Sequence, residues 1–208
     1  MHPTVYIVDD DPSARRGLTR LVRAAGFPAE AFASAADFLA SGRAEQPGCL
    51  VLDVRMPEMS GPELQDALQS TEWCLPIIFL SAHGDVPTAA GAMKKGAVDF
   101  LTKPVDRDDL LGALQKALAR DAAGRAREAD HQDLNGRLEA LTPREHQVMT
   151  YVISGRLNKQ IADALGISEE TVKVHRGRVM QKLGLASVAE LVRLCEKAGV
   201  EPAGPGAS

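Results

Sequence analysis

Cysteine, histidine and aromatic residues are all scarce in this chain of 208 residues. The three cysteines, Cys49, Cys74 and Cys195, lie far apart, which argues against a disulfide framework and against a cysteine-ligated metal centre. The five histidines do not have the spacing of metal ligands either. We therefore expect the cysteines to be small buried side chains in a reducing compartment.

Long apolar runs are also missing. No stretch approaches the roughly 20 apolar residues that a membrane-spanning helix needs. The first residues lack the charged and then apolar pattern of a signal peptide. We therefore expect a cytoplasmic protein with no membrane partner, long enough for two modest domains that each bury a core.

Charge is unevenly distributed along the chain. Residues 1–120 carry 16 acidic and 12 basic side chains, whereas residues 141–198 carry 6 acidic and 9 basic ones. A basic segment on an acidic chain indicates that this segment meets a polyanion such as nucleic acid.

The first half of the chain alternates short apolar runs with segments of helical periodicity. The apolar runs predict five strands, at residues 4–8, 27–32, 49–52, 75–80 and 98–101. Asp11 followed by Pro12 predicts the start of the first helix. This alternation predicts the α/β class, with a flavodoxin-like, doubly wound, five-stranded parallel sheet covered by helices on both faces.

Four of these strands end at polar side chains, which are Asp9 with Asp10, Asp53, Ser81 and Lys103. Because the carboxyl ends of parallel strands share one edge of the sheet, we expect these side chains to converge on one crevice. Three carboxylates there would hold a hard divalent ion, and Mg²⁺ is suitable because it takes few protein ligands and a phosphate. The hydroxyl and the ammonium group would hold the oxygens of a phosphoryl group.

Residues 1–120 resemble the receiver domain of two-component response regulators. The matching residues are Asp9, Asp10, Asp53, Ser81, Phe100, Lys103 and Pro104. The resemblance implies that Asp53 accepts a phosphoryl group from a phosphohistidine of a sensor histidine kinase. It implies that Asp10, Asp53 and the backbone carbonyl of Arg55 bind Mg²⁺, while Asp9 acts through water. It also implies a cis Lys103–Pro104 peptide, and a switch in which Ser81 moves toward the phosphate and Phe100 turns inward.

Residues 121–140 are predicted to form a helical linker after an amphipathic helix at residues 106–118. Leu134, Leu138 and Leu141 continue the helical spacing of apolar residues. Gly124 and Gly136 each weaken a helix by about 1 kcal/mol relative to alanine, so we expect a partly bendable linker. The pattern favours packing of the apolar stripe on the receiver itself, with a dimer seam as the alternative.

Residues 141–198 contain four helical segments with clear start signals. Thr142, Pro143 and Glu145 form a predicted capping box at the first segment, and Asn158 and Ser168 open the second and third. Four short helices with a tight turn between the second and third predict an all-α helix-turn-helix domain.

The third segment has the features of a recognition helix. Its predicted DNA-contacting side chains are Lys173, Val174, Arg176, Arg178 and Lys182. Gly177 lies on the side that is expected to face DNA and offers no side chain for reading bases. The whole domain resembles the LuxR-type helix-turn-helix domain, with matches at residues 141–145, 158–162 and 171–176.

Together, the two resemblances identify the chain as a response regulator of the FixJ/NarL type, a phosphorylation-activated transcription factor and not an enzyme. They imply Mg²⁺ as cofactor and a sensor histidine kinase, promoter DNA and RNA polymerase as partners. They also imply a homodimer that forms on phosphorylation through residues 86–95 and the last strand. Residues 199–208, rich in glycine, proline and alanine, are expected to be a disordered tail.

Two alternatives remain open. A nucleophilic aspartate with Mg²⁺ also occurs in hydrolases that resemble the haloacid dehalogenase group. Those enzymes need a second aspartate two residues after the nucleophile, where this chain has Arg55. The other alternative is a receiver that works unphosphorylated beside a constitutively active DNA-binding domain, although the complete set of site residues argues against it.

Overall fold

A computed structural model describes residues 3–69, 75–82 and 86–204 of the protein, and Cys74 lies outside these ranges. The chain forms two compact units, Met1–Arg125 and Ala126–Ser208. Across the described ranges, no helix combines the length and the apolar character needed to cross a membrane.

The first unit is built on five parallel strands. They are β1 (Thr4–Val8), β2 (Ala29–Phe32), β3 (Gly48–Asp53), β4 (Ile77–Ser81) and β5 (Asp99–Thr102), and they pair in the order β2-β1-β3-β4-β5. Both β2 and β4 begin two residues later than predicted, because Pro28 and Pro76 have no N–H to donate to the ladder. The predicted doubly wound α/β fold is confirmed, and it places β1, β3 and β4 side by side at the centre.

Helices cover both faces of this sheet. They are α1 (Pro12–Ala24), α2 (Ala35–Ala40), α3 (Gly61–Gln69) and α4 (Val86–Lys94), and a short 3₁₀ turn spans Arg43–Glu45. On one face, Phe38 and Leu64 pack against the sheet with Phe79. On the other, Leu18 of α1 packs with Ile78. The alternating faces of the strands therefore produce two apolar layers with the sheet between them.

The long helix α5 (Arg107–Glu139) runs for 33 residues without interruption. Leu110 and Leu114 in its first turns are fully buried against the sheet. Leu134 and Leu138 instead pack in the apolar core of the second unit. The prediction that this leucine stripe packs on the receiver is therefore correct for its first half and wrong for its second half, which helps to form a different core.

Residues 121–125, predicted to belong to the linker, are held by the first unit. Asp121 is buried, and its Oδ2 accepts a hydrogen bond of 3.0 Å from the N–H of Gly48 at the start of β3. Arg125 Nε lies 3.0 Å from both carboxylate oxygens of Asp121. The guanidinium of Arg125 also donates to the carbonyls of Glu45 (3.0 Å) and Gln46 (2.8 Å). We call Asp121 and Arg125 the junction clasp, and it moves the end of the first unit from the predicted residue 120 to residue 125.

The second unit adds four helices to the end of α5. They are α6 (Pro143–Ile153), α7 (Asn158–Leu165), α8 (Glu169–Leu183) and α9 (Val188–Lys197). Val148, Val179 and Leu191 lie at the centre of their common core. A tight turn at Gly166, which has a φ of 65°, joins α7 to α8. This is the predicted helix-turn-helix arrangement.

The helix starts agree with the sequence signals at all but one of the predicted caps in this unit. The capping box is confirmed, since Glu145 N donates to Thr142 Oγ1 (3.3 Å) and Thr142 N donates to Glu145 Oε2 (2.8 Å). Ser168 caps α8 as predicted. Asn158 is not the cap of α7, because Leu157 occupies that position and its N–H is satisfied by the side chain of Gln160 (2.9 Å).

The first residues of the predicted tail contact the second unit. Val200 packs against the core of the second unit. The N–H of Ala203 donates to the carbonyl of Thr150 (3.0 Å), and Arg156 Nη2 donates to the carbonyl of Gly204 (3.1 Å). One apolar residue and two hydrogen bonds therefore hold residues 199–204, and the disorder of the tail stays a prediction. Residues 205–208 lie outside the described ranges.

Candidate functional site

The central strands bring three predicted site residues to one edge of the sheet. In the sheet register, Val8 of β1 pairs with Leu52 of β3, so Asp9 and Asp53 leave the sheet side by side. Asp53 pairs in turn with Leu80, the residue before Ser81. Asp9, Asp53 and Ser81 are all buried, and the two buried carboxylates require a counter-charge.

Lys103 supplies that counter-charge from the loop after β5. Its ammonium nitrogen lies 2.6 Å from Asp9 Oδ2 and also contacts Asp53 Oδ1. Its backbone N–H donates to the carbonyl of Ser81 (2.7 Å), which fixes the loop against β4. The Lys103–Pro104 peptide is cis, as expected from the resemblance. One lysine therefore joins residues that are 94 and 50 positions away along the chain.

Burial and charge set the ionisation of this pair. Burial is the largest influence on the pKa of Asp53 and raises it above its usual value, although the hydrogen bond and the charge of Lys103 oppose the shift. For Lys103, burial lowers the pKa, but the hydrogen bonds to Asp53 and Asp9 outweigh burial and raise the pKa overall. A carboxylate with poorly solvated charge beside a firmly protonated lysine is suited to attack an electrophilic phosphorus.

The donor atoms around this pair suit a hard cation. Asp53 Oδ2 accepts from the N–H of Arg55 (2.8 Å), and Asp9 Oδ1 accepts from the N–H of Asp11 (2.9 Å). Asp10, the third predicted carboxylate, is exposed and directly follows Asp9 in the chain. Within the described ranges, no group of three His, Cys, Asp or Glu side chains forms a metal cluster by itself. Two buried carboxylates that already share one ammonium nonetheless offer the oxygen donors that Mg²⁺ prefers, with solvent access beside Asp10.

The predicted switch residues lie on the neighbouring strands. Phe100 is half-buried in β5, and its ring centroid is 6.2 Å from that of Phe79. On α4, Val86 and Met93 are large apolar side chains with exposed fractions of 75% and 44%. The structure therefore has a half-buried aromatic side chain on β5 and exposed apolar side chains on α4.

Two residues that support the site are absent from the sequence prediction. Arg15 Nη1 donates to the backbone carbonyl of Asp9 (2.6 Å) and so holds the end of β1 from α1. Gly61, the first residue of α3, lies against the backbone of Asp53, and a Cβ on it would overlap the Asp53 carbonyl oxygen. The sequence shows Gly61 only as a loop glycine, and nothing near Arg15 distinguishes it from the other arginines of α1.

The predicted DNA-contacting residues divide into two groups. Lys173, Val174 and Arg178 are exposed on α8, and an added Cβ at Gly177 would meet open space. Lys173 lies 3.2 Å from Glu170, a surface pair that solvent screens strongly. These residues form the outward side of α8.

Arg176 and Lys182 form hydrogen bonds with other residues of the chain. Arg176 Nη1 donates to Asn158 Oδ1 at 2.5 Å. Lys182 Nζ lies 2.7 Å from Glu145 Oε2 and 3.0 Å from the carbonyl of Ala140. Arg176 is half-buried and shares the face of Val172, whereas Lys182 is exposed and follows Arg178 by one helical turn. Contact of these two side chains with DNA stays a prediction.

Comparison with known proteins gives the same division of the chain. Residues 5–115 match the family model described as the response regulator receiver domain, and residues 139–195 match the model described as bacterial regulatory proteins, luxR family. The chain is 46% identical over 193 residues to the response regulator protein TodT of Pseudomonas putida, covering 93% of this chain and 85% of that protein. It is 42% identical over 199 residues to the transcriptional regulatory protein FixJ of Azorhizobium caulinodans, covering 96% and 94%.

Solved structures agree with these relatives. The response regulator StyR, known at low resolution, is 50% identical, with a TM-score of 0.88 and coverage of 95% of this chain and 100% of that chain. Full-length FixJ from B. japonicum is 41% identical, with a TM-score of 0.56 and coverage of 95% and 97%.

A parallel α/β unit with a buried Asp–Lys cluster, followed by a helix-turn-helix unit, defines a two-component regulator rather than an enzyme. The chain belongs to the response regulator family, in the group that joins a receiver to a LuxR-type DNA-binding domain. It is a phosphorylation-dependent transcriptional regulator, and its architecture implies a sensor kinase and promoter DNA as partners.

Proposed function

We propose that Asp53 is the residue that accepts the phosphoryl group. The observation that carries this proposal is the buried contact of one ammonium, that of Lys103, with both Asp9 and Asp53 at the end of β3. A carboxylate oxygen of Asp53 forms the new bond to phosphorus, and the bond between phosphorus and the histidine nitrogen of the sensor kinase breaks. Lys103 then moves from the free carboxylate to the phosphoryl oxygens and neutralises their charge.

Asp10, Asp53 and the backbone carbonyl of Arg55 would hold Mg²⁺, with Asp9 contributing through water. Bound there, Mg²⁺ neutralises charge on the phosphoryl oxygens. Asp9 keeps Lys103 oriented toward Asp53, whose Oδ2 accepts from the N–H of Arg55 and whose Oδ1 contacts the ammonium. The protein's share of the reaction is therefore mainly positioning.

The phosphoryl group would act on the neighbouring strands. Ser81 binds the new oxygens, and Phe100 turns inward as the end of β4 moves. Changing a two-state equilibrium from mostly off to mostly on requires about 5.5 kcal/mol. Two or three hydrogen bonds to a charged phosphate, at about 1.5–3 kcal/mol each, supply that order of free energy. The exposed Val86 and Met93 of α4 would then become part of a homodimer interface.

The dimer would place two copies of α8 on promoter DNA, on half-sites about one helical turn apart. Lys173 and Arg178 would contact phosphates or guanine edges, and Val174 would contact apolar groups in the major groove, such as a thymine methyl. We place this function in the cytoplasm, where RNA polymerase at the same promoter would be the further partner.

Incubation with acetyl phosphate and Mg²⁺, followed by intact mass measurement, tests the proposal. The wild-type chain should gain one phosphoryl group that mild alkali removes, and Asp53→Asn should gain none. Lys103→Met should gain it much more slowly, because Asp9 and Asp53 then lose their shared counter-charge. Modification of Asp53→Asn to the wild-type extent would contradict the proposal. Continuous release of phosphate at high turnover would favour a hydrolase instead.

A further inference from the structure

Arg176 lies on the inner side of the recognition helix α8. It follows the fully buried Val172 by four residues and therefore shares its face of the helix. Its side chain is half-buried and lines a groove of about 530 Å³ together with Leu157, Asn158 and Val188. A side chain in this position lies beside the starts of α7 and α9, at the border between the buried face and the side that carries Lys173.

A single strong hydrogen bond defines what Arg176 does there. Its Nη1 donates to Asn158 Oδ1 at 2.5 Å, and the charge on the guanidinium strengthens this hydrogen bond. Asn158 is the first residue of α7, and the turn at Gly166 follows its last residue. The turn thus attaches one end of α7 to α8, and Arg176 attaches the other end, about 12 Å away at 1.5 Å per residue. Two attachments at opposite ends of one short helix leave the two helices little freedom to rotate.

We propose that Arg176 is a positioning residue, which fixes the angle between α7 and α8 and so the direction of Lys173 and Val174, without contacting DNA. The proposal rests on the DNA-binding function proposed above. It predicts that substitution of Arg176 and substitution of Asn158 have the same effect on DNA binding, although only Arg176 is charged. A direct phosphate contact by Arg176 would give the opposite behaviour, since its effect would not depend on Asn158.

The salt dependence of binding separates the two roles. Each phosphate contact contributes about 0.9 to the slope of log K against log salt concentration. The probes are a 30-bp duplex that the wild-type chain selects from a randomised pool and an unrelated duplex of the same length. The full chain is used, treated with acetyl phosphate and Mg²⁺, as wild type, Arg176→Met, Asn158→Ala and the double variant. Arg178→Ala serves as a matched control, because Arg178 is an exposed arginine on the same helix.

Arg176→Met and Asn158→Ala should each weaken binding to the selected duplex about tenfold, and the double variant should be no weaker than either. The salt slope of both variants should equal that of wild type, whereas Arg178→Ala should lower it by about 0.9. Arg176→Lys should restore part of the affinity, since an ammonium can still donate to Asn158. Binding is measured at a temperature at which circular dichroism shows that every variant is folded. A variant that loses only stability should then keep the wild-type preference for the selected duplex over the unrelated one.

Three results would overturn the proposal. They are a lowered salt slope for Arg176→Met, full affinity in Asn158→Ala, and additive losses in the double variant. If the wild-type chain enriches no sequence from the pool, the proposed DNA binding itself fails, and the inference fails with it.

Discussion

Gly61 lies so close to the main-chain carbonyl of Asp53 that a Cβ there would overlap the carbonyl oxygen. The same Cβ would also approach the ring of Phe79 to 3.0 Å. The N–H of Gly61 donates to the carbonyl of Val54 (3.0 Å), so neither the helix start nor the strand end can move alone. The close approach of Gly61 therefore fixes the position of Asp53, the proposed phosphoacceptor. This approach is possible because Gly61, the first residue of α3, has no side chain.

Gly61→Ala should move the end of β3 and with it Asp53. We expect a loss of about 1–3 kcal/mol in the free energy of unfolding, as for overpacked cores, and slow uptake of phosphate from acetyl phosphate. Urea denaturation and intact mass measure the two effects. Gly124→Ala, at a helical position with open space around it, should gain up to about 1 kcal/mol and keep normal uptake. Equal behaviour of the two variants would show that the close approach has no effect.

Removal of Arg125 should open the junction clasp. Arg125→Ala leaves the buried Asp121 and the carbonyls of Glu45 and Gln46 without this donor, so we expect a loss of about 1.5–3 kcal/mol. Hydrogen exchange of peptides from residues 107–125 and thermal melting check the prediction. Arg127→Ala, two residues later and exposed, should change stability by less than about 0.5 kcal/mol. Unchanged exchange in Arg125→Ala would show that the clasp does not hold the helix.

The stability of the second unit should depend on pH through Glu145. The hydrogen bond from Lys182, and then that from Thr142, lowers the pKa of this carboxylate from 4.5 to about 2. Because the folded-state pKa is lower than the unfolded one, the stabilisation is complete above about pH 4.5 and disappears as the pH falls toward 2. The difference in Tm between wild type and Glu145→Gln should therefore shrink over that interval. A difference that stays constant from pH 7 to pH 3 would contradict the assignment.

Lys173→Ala should weaken DNA binding and leave phosphorylation unchanged. Lys173 lies on the outward side of α8 and has only a surface ion pair with Glu170, so its loss costs little stability. We expect weaker binding to the selected duplex, and a salt slope lower by about 0.9 if the contact is to a phosphate. Titration at several salt concentrations measures both. Loss of phosphorylation in the same variant would indicate misfolding rather than a lost contact.

Gly177 offers a further test on the same helix. A Cβ there meets no other atom, so Gly177→Ala should stabilise α8 by up to about 1 kcal/mol in thermal unfolding. Binding to the selected duplex should be retained, since a methyl group at this position adds no hydrogen bond. Destabilisation would mean that the helix needs glycine for a reason other than space.

The sequence was sufficient to predict the parallel sheet, the alternation of its strands with helices, and the cluster of Asp9, Asp53 and Lys103. Asp9 and Asp53 directly follow a short apolar run and Lys103 follows one by two residues, so the local pattern also fixes their places in the fold. The capping box at Thr142 was predictable for the same reason, since all its partners lie within one helical turn.

The junction clasp could not be predicted, because Arg125 binds carbonyls that precede it by 80 and 79 residues. Gly61 could not be recognised as a close-approach position, because this depends on where Asp53 lies in space. The half-buried position of Arg176 was predictable in part, because Arg176 follows the core residue Val172 by four positions. The number of basic residues on α8 concealed that periodicity.

The clasp has a practical consequence for anyone who dissects or recombines such proteins. A fragment that stops at residue 120 removes the carboxylate that receives the N–H of Gly48, at the opposite end of the strand that carries Asp53. Hybrids that exchange the signal-receiving half for that of another regulator should therefore be joined beyond Arg125. A junction placed before Arg125 would disturb the strand that carries Asp53 at its opposite end. A hybrid that does not respond to its signal for this reason would then be misinterpreted as one in which the two domains are not coupled.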